Sequence, residues 1–333
     1  MRIIKRKLSW IVLLVVSIVI VLEGCNRVEK KVGKQSESES ESETILMAVG
    51  EETVSMEEAK TYVYFLKHQY EGSIGRVIWD YKLEGEALND YAKEQIQNLL
   101  AQIKILKQEA AKQGIELTGD EMEEARSCAL DYLSQLSKKE KEESGITQEQ
   151  LTTIYSENIL ANKVFEISTN DVDTNISDDE VKQITIQYLM VMTKGTDKNG
   201  NVVDMTNEEK KKAKSKAKTL YEKAGDATNF LTFAESNTDA KEAETTFSRA
   251  DAPKELKEEA FGLKSGEMSK LIEGESGYYI IYCVNDNDED ATVKRKEELI
   301  MERQKASFEE KFATWSSEYE IVISNTLWNE IKF

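Results

Sequence analysis

Along this chain the spacing of apolar positions changes from extended to helical and back. Ile45–Val49 (ILMAV) is an apolar run of strand length, closed by a turn at Gly50-Glu51-Glu52. Ser55-Met56-Glu57-Glu58 then has the form of a capping box, in which a serine accepts from the first helical turn and a glutamate reaches back. The same signature recurs at Thr118–Glu121, Thr147–Gln150, Ser177–Glu180 and Thr206–Glu209, and each predicts a helix start. Ile96, Leu99, Leu100, Ile103, Leu106 and Ala110 share one face of a helix that Gly114 stops. Residues 55–167 are therefore expected to be almost wholly helical.

At Ile184 the period becomes extended. Ile184–Met192 (ITIQYLMVM) predicts a strand, followed by the loop TKGTDKNGN and a lysine-rich helix from Asn207 to Gly225. A short helix around Asn229–Ala234, an irregular stretch, a second short helix over Lys254–Gly262 and a turn at Lys264–Glu267 lead to the strand GYYIIYCV, Gly277–Val284. Alternation there puts Tyr279, Ile281 and Cys283 on one face and Tyr278, Ile280 and Tyr282 on the other. Phe308, Phe312 and Trp315 return to helical spacing, and Tyr319, Ile321 and Ile323 alternate in a last strand. That strand and Ile45–Val49 each lack a neighbour in sequence. Pairing them makes an α+β chain: a helical domain from residues 45–175 and 290–333, with residues 176–288 inserted.

The N-terminus is set apart by its own pattern. Arg2, Lys5, Arg6 and Lys7 precede the apolar run Leu8–Leu22, which is the order of an export signal over residues 1–24. The run is shorter than the ~20 residues a spanning helix needs, although an uncleaved signal anchor is the alternative. Leu22-Glu23-Gly24-Cys25 resembles a bacterial lipobox, with Cys25 as the lipid attachment; Glu23 departs from the small or hydroxyl residue usual there. Residues 25–44 are charged and of low complexity, hence a lipid-anchored flexible linker.

Removing residues 1–24 takes away four basic side chains and one acidic one, so the net charge of −19 becomes −22. So acidic a chain is a poor partner for nucleic acid and for anionic lipid, and membrane attachment falls to the lipid anchor. His68 is the sole histidine and points away from the apolar stripe Ala59, Tyr62, Val63, Leu66 and Tyr70. Histidine metal clusters, Ser-His-Asp triads and Cys-His pairs are thereby disfavoured, and neither GxGxxG nor GxxxxGK[ST] occurs. No metal and no cofactor is expected. Cys128 and Cys283 fall within apolar patterns and are read as buried free thiols.

Several runs resemble a known family. Phe230-x-x-Phe233-Ala234-Glu235-Ser236, Glu259-Ala260-Phe261-Gly262-Leu263 with Gly266-Glu267-Met268-Ser269, and Ser276-Gly277-Tyr278-Tyr279-Ile280-Ile281 resemble the parvulin, or PpiC-type, peptidyl-prolyl isomerases. Leu106–Thr118 and Val49–Ser55 are similar to the helical part of SurA/PrsA-type extracytoplasmic foldases. The resemblance implies a small antiparallel sheet plus helices for residues 176–288 and a helical chaperone domain from the chain ends. It also implies unfolded or exported polypeptides as partners.

It implies a site as well. The family's two histidines fall on Tyr188, within Gln187–Val191, and on Tyr279; its pocket methionine and phenylalanine fall on Ala252 and Leu256. Met190 and Phe247 join these as peptide-binding candidates. The family's cysteine or aspartate falls near Glu235, where neither occurs. Isomerisation of an X-Pro bond crosses a barrier of ~20 kcal/mol and needs a hydrogen-bond network and an apolar proline cup rather than a nucleophile. Two tyrosines can still donate and accept across adjacent strands, but Ala252 makes a shallower cup. The expectation is a foldase with weak or absent isomerase activity; the alternative is an active isomerase that uses tyrosines in place of histidines. A solute-binding lipoprotein is disfavoured because the long βα alternation of such proteins is missing.

Overall fold

A computed structural model describes residues 45–333, apart from Glu84 and Asn199. The expected signal segment, Cys25 and the linker lie outside the described residues. The chain divides into two compact units, one running to Val172 and completed by Gln304–Phe333, the other spanning Asp173–Arg303.

In the first unit, β1 (Ile45–Val49) is the middle strand of an antiparallel sheet between β2 (Glu52–Ser55) and a strand from the far end of the chain, Ile321–Ile323. Met47 faces Ile323 and Val49 faces Ile321 across that pairing. Apolar side chains from both ends therefore enter one core, in which Leu46, Val49, Leu100, Ile103, Phe308 and Phe312 are all but fully buried. The sheet is small, so helices supply most of the cover: α1 (Met56–Ile74), α2 (Leu88–Gln113), α3 (Gly119–Gln135), α4 (Lys138–Ser144) and α5 (Gln148–Ser168). Thr118 and Thr147 close the expected reciprocal caps on α3 and α5, and Gly114 ends α2 in the left-handed conformation at φ 67°.

Two expectations change here. The helix does not run unbroken through residues 75–87. Gly75 takes φ 86°, a 3-10 turn follows over Arg76–Asp80, and the short strands β3 (Lys82–Leu83) and β4 (Glu86–Ala87) pair. The positive φ of Gly75 breaks the α-helical path, the next residues close only a short 3-10 turn, and extended backbone resumes at Lys82. At α1, Ser55 accepts from the Glu58 amide, but the Glu58 carboxylate lies 2.9 Å from the Lys104 ammonium and joins an ion cluster. Lys104, 3% exposed on the buried stripe of α2, also donates to both oxygens of Glu157 at 2.9 and 2.8 Å. Lys107 bridges Glu157 and Glu52.

The second unit is built on a four-stranded antiparallel sheet in the order β8-β5-β10-β9. Its members are β5 (Gln183–Met192), β8 (Glu244–Ser248), β9 (Ile272–Glu273) and β10 (Gly277–Asp288). After a short helix α6 (Asp178–Val181) before the sheet, one face is covered by α7 (Asn207–Ala224) and α8 (Phe230–Asn237). Ala213 and Ala217 let α7 approach Leu189, Val191, Tyr278 and Ile280, and Phe230 stacks on Tyr282 at 5.5 Å. The other face is covered by residues 252–263, including the short helix α9 (Lys257–Gly262).

The loop after β5 contains a hairpin of β6 (Lys194–Thr196) and β7 (Val202–Asp204), and the expected irregular stretch contains β8. A single helix, α10 (Glu289–Ser316), begins where β10 ends, and the division between units falls inside it rather than at residues 288–290. The reason is local: Thr292 accepts from the Gln183 amide, and the Arg303 guanidinium donates to the carbonyls of Asp173 and Asn175. These contacts tie the first part of α10 to the sheet. Among the described residues no helix is long and apolar enough to cross a membrane.

Candidate functional site

The site is set by the register of β5 against β10. Tyr279 lies opposite Met190 and Ile281 opposite Tyr188, so both tyrosines point from the same face of the sheet, one diagonal step apart. Gly277 permits this pairing, because a Cβ there would stand 2.4 Å from the Val191 carbonyl oxygen. Ile184, Ile186, Phe247 and Ile281 extend the apolar face, and Ala252 and Leu256 descend onto it from the segment after β8. A turn led by Ser248, which donates to Asp251 at 2.8 Å, aims that segment; the Ala252 amide then bonds the Ser248 carbonyl.

The sequence-predicted residues Tyr188, Met190, Phe247, Ala252, Leu256 and Tyr279 all meet in this one cluster. Phe247, Ala252, Leu256 and Tyr279 are only 5–8% exposed, and the partly exposed apolar surface of this face comes from Tyr188, Met190, Phe261, Leu263 and Ile272. The Tyr279 ring reaches over Gly274, where an added Cβ would be 2.8 Å from Tyr279 Cε2 and 2.9 Å from Glu255 Cγ. Gly274 thus leaves room for a ring larger than imidazole.

The chemistry differs from that of a histidine pair. Among the described residues neither tyrosine hydroxyl has a hydrogen-bond partner, and none joins the two. Burial, then Glu255, then Tyr188 push the Tyr279 hydroxyl above its ordinary pKa. Burial and Glu242 do the same for Tyr188. Both groups are neutral phenols at physiological pH, able to donate or accept but not to titrate there as imidazole would. The Glu242 and Glu255 carboxylates form no hydrogen bond or ion pair among the described residues. Cys283, on the same strand, is fully buried, and its thiol is pushed up by that burial.

Glu235 is exposed on α8 and stands apart from this cluster. The segment that follows α8 is the one that runs along β5. Thr238 Oγ1 accepts from the Met190 amide at 2.9 Å, Asp239 accepts from the Met192 amide at 2.9 Å, and the Ala243 carbonyl accepts from the Tyr188 amide at 2.8 Å. Thr238 and Asp239 therefore hold the strand that carries Tyr188 and Met190. A Thr-Asp pair directly after a helix was the available signal. Ser269, 1% exposed, is the other unforeseen support: its Oγ accepts from the Ile281 amide at 2.9 Å.

Residues 191–285 match the family described as rotamase, the PPIC-type PPIASE domain. The second unit holds a PPIC-type domain. The match takes in Phe247, Ala252, Leu256 and Tyr279, whereas Tyr188 and Met190 stand just before it. Over 272 residues the chain is 25% identical to the foldase protein PrsA of Caldanaerobacter subterraneus subsp. tengcongensis, covering 79% of each. Among solved structures it is similar to a peptidylprolyl isomerase (PrsA) from Bacillus cereus, at 15% identity over 88% of this chain and 92% of that one, with a TM-score of 0.34. It is also similar to the SurA-like chaperones PEB4 and Cj1289 of Campylobacter jejuni, at 14% identity over 85% and 99%, with a TM-score of 0.32. The PPIC-type domain and the helical first unit together account for the resemblance read from the sequence. Among the described residues no group of three or more His, Cys, Asp or Glu side chains is placed to hold a metal ion.

Proposed function

We propose that this chain is an extracytoplasmic foldase that binds exported, unfolded polypeptides, with a PPIC-type domain whose isomerase activity is weak or absent. Similarity to the PrsA foldase over 79% of both chains supports the foldase part. The observation that carries the rest is the packed face: Phe247, Ala252, Leu256 and Tyr279 are at most 8% exposed, which leaves these four side chains little surface to offer a proline ring. With both hydroxyls unpaired, the hydrogen-bond network that would favour a twisted amide is missing as well. In this reading the N-terminal segment directs export, Cys25 carries the lipid, and residues 25–44 space the folded units from the membrane.

The foldase reading is tested with residues 45–333 mixed with a chemically denatured client. Suppression of aggregation at near-equimolar ratios is expected; a well-folded preparation that suppresses none removes the reading. The alternative, an active isomerase using Tyr188 and Tyr279, has one observation in its favour, the half-exposed Tyr188 beside a tyrosine hydroxyl free to bond a substrate. It requires that Tyr188→Phe or Tyr279→Phe lower an isomerisation rate by tenfold or so without loss of stability, roughly what a positioned hydrogen bond contributes.

A further inference from the structure

The two unpaired carboxylates beside the tyrosines have no structural work. Glu255 is half-buried, and its Cβ and Cγ, like the Tyr279 ring, crowd the space beside Gly274. Glu242 precedes Ala243, whose carbonyl holds the Tyr188 amide at 2.8 Å. Each carboxylate therefore flanks one tyrosine at the opening of the PPIC-type domain. Lys194, which feels the Glu255 charge, is committed to Glu275 at 2.7 Å. A second feature points outward. Tyr279 is 7% exposed, yet its hydroxyl has no partner among the described residues. The hydroxyl oxygen itself keeps access to solvent, so it is free to bond an incoming group.

We propose that this opening selects polypeptide segments in which lysine or arginine stands next to an apolar residue. The apolar side chain rests on Tyr188 and Met190, the neighbouring cation meets Glu255 or Glu242, and the Tyr279 hydroxyl bonds the segment's backbone. A long basic side chain suits this geometry, since its methylenes lie along the Tyr188 ring while its charge reaches the carboxylate. The inference rests on the foldase reading and adds a preference to it.

The test uses fluorescein-labelled peptides that share a Phe-Pro core and differ only in their flanks, two lysines, two glutamines or two glutamates, titrated with the full chain in detergent and read by anisotropy. The lysine peptide is expected to bind about fivefold more tightly than the glutamine peptide at low salt, as one or two partly exposed ion pairs provide. In Glu242→Gln/Glu255→Gln that ratio falls to about one, and Glu255→Lys shifts the preference to the glutamate peptide. Equal affinities for the three peptides in the wild type overturn the inference. So does a lysine preference retained in the double variant, which would assign it to the chain's overall charge of −19. Suppression of client aggregation is measured on the same preparations. If it persists while the peptide preference is absent, only this inference fails; if both peptide binding and suppression are absent, the foldase reading fails with it.

Discussion

Gly274 is the position where the room taken by the Tyr279 ring can be tested as a physical coupling. A methyl group added there would stand 2.8 Å from Tyr279 Cε2, whereas carbon atoms pack best at about 3.5–4.0 Å. The ring must then move by roughly 0.7 Å in a face that is already packed. Overpacking of this kind costs about 1–3 kcal/mol, less the ~0.4–1 kcal/mol that alanine returns by restricting the unfolded chain. Gly274→Ala is therefore expected to destabilise the second unit by about 1–2 kcal/mol. In a Tyr279→Ala background the ring is gone and the half-exposed Glu255 can swing aside, so the same substitution becomes neutral or slightly stabilising. The double-mutant cycle then gives a coupling of ~1–2 kcal/mol. Urea unfolding of residues 45–333 resolves the unit concerned, because all four tryptophans, Trp10, Trp79, Trp315 and Trp328, lie outside Asp173–Arg303. Circular dichroism follows both units and tryptophan fluorescence only the first. The reasoning is refuted if Gly274→Ala costs the same with and without the Tyr279 ring.

Three further outcomes follow from the geometry. Gly277→Ala drives a Cβ to 2.4 Å from the Val191 carbonyl oxygen; that contact is with backbone in a paired strand and cannot relax, so the dichroism transition of the second unit should fall by ~3 kcal/mol or more while the fluorescence transition holds. Lys104→Ala leaves the buried Glu58 without a cation and Glu157 with Lys107 alone, and should cost the first unit about 3 kcal/mol, whereas Lys112→Ala, at a half-exposed position, should lower the urea midpoint far less. Hydrogen bonds from Ser265 and then Lys264 lower the Asp286 pKa to about 2. A depressed acid stabilises the fold above its unfolded pKa of ~3.9 and loses that contribution as pH falls through its folded value. Asp286→Asn should flatten the decline of the urea midpoint between about pH 4 and pH 2, and an unchanged decline would count against this assignment.

Much of the fold was legible where local chemistry and tertiary packing agree. The caps at Thr118, Thr147 and Thr206 lie at helix starts because each threonine has a glutamate or glutamine three residues on to complete it. The last strand, Ile321–Ile323, pairs with the edge of β1 that its hairpin partner β2 leaves free. GYYIIYCV presents Tyr279 and Ile281 to one cluster and Tyr278 and Ile280 to the other, as two-residue alternation requires. What was not legible depends on partners distant in sequence. ETTFS reads as loop until the Gln183–Gln187 segment pairs with it. Glu58 looks like a capping residue, and only the 46-residue return of α2 brings Lys104 to take its carboxylate. At the site, the motifs located Tyr188, Ala252, Leu256 and Tyr279, but their closure over one another depends on the size of the Tyr279 ring and the room left by Gly274. Spacing alone carries no information about that volume.

The central claim is that the PPIC-type domain keeps its fold while its isomerase activity is weak or absent. It is tested most directly by the cis-to-trans rate of a proline peptide, followed with and without residues 45–333 at micromolar concentration. The account predicts a rate within about twofold of the uncatalysed isomerisation, which takes tens to hundreds of seconds. Acceleration comparable to that of a parvulin with both histidines would contradict it.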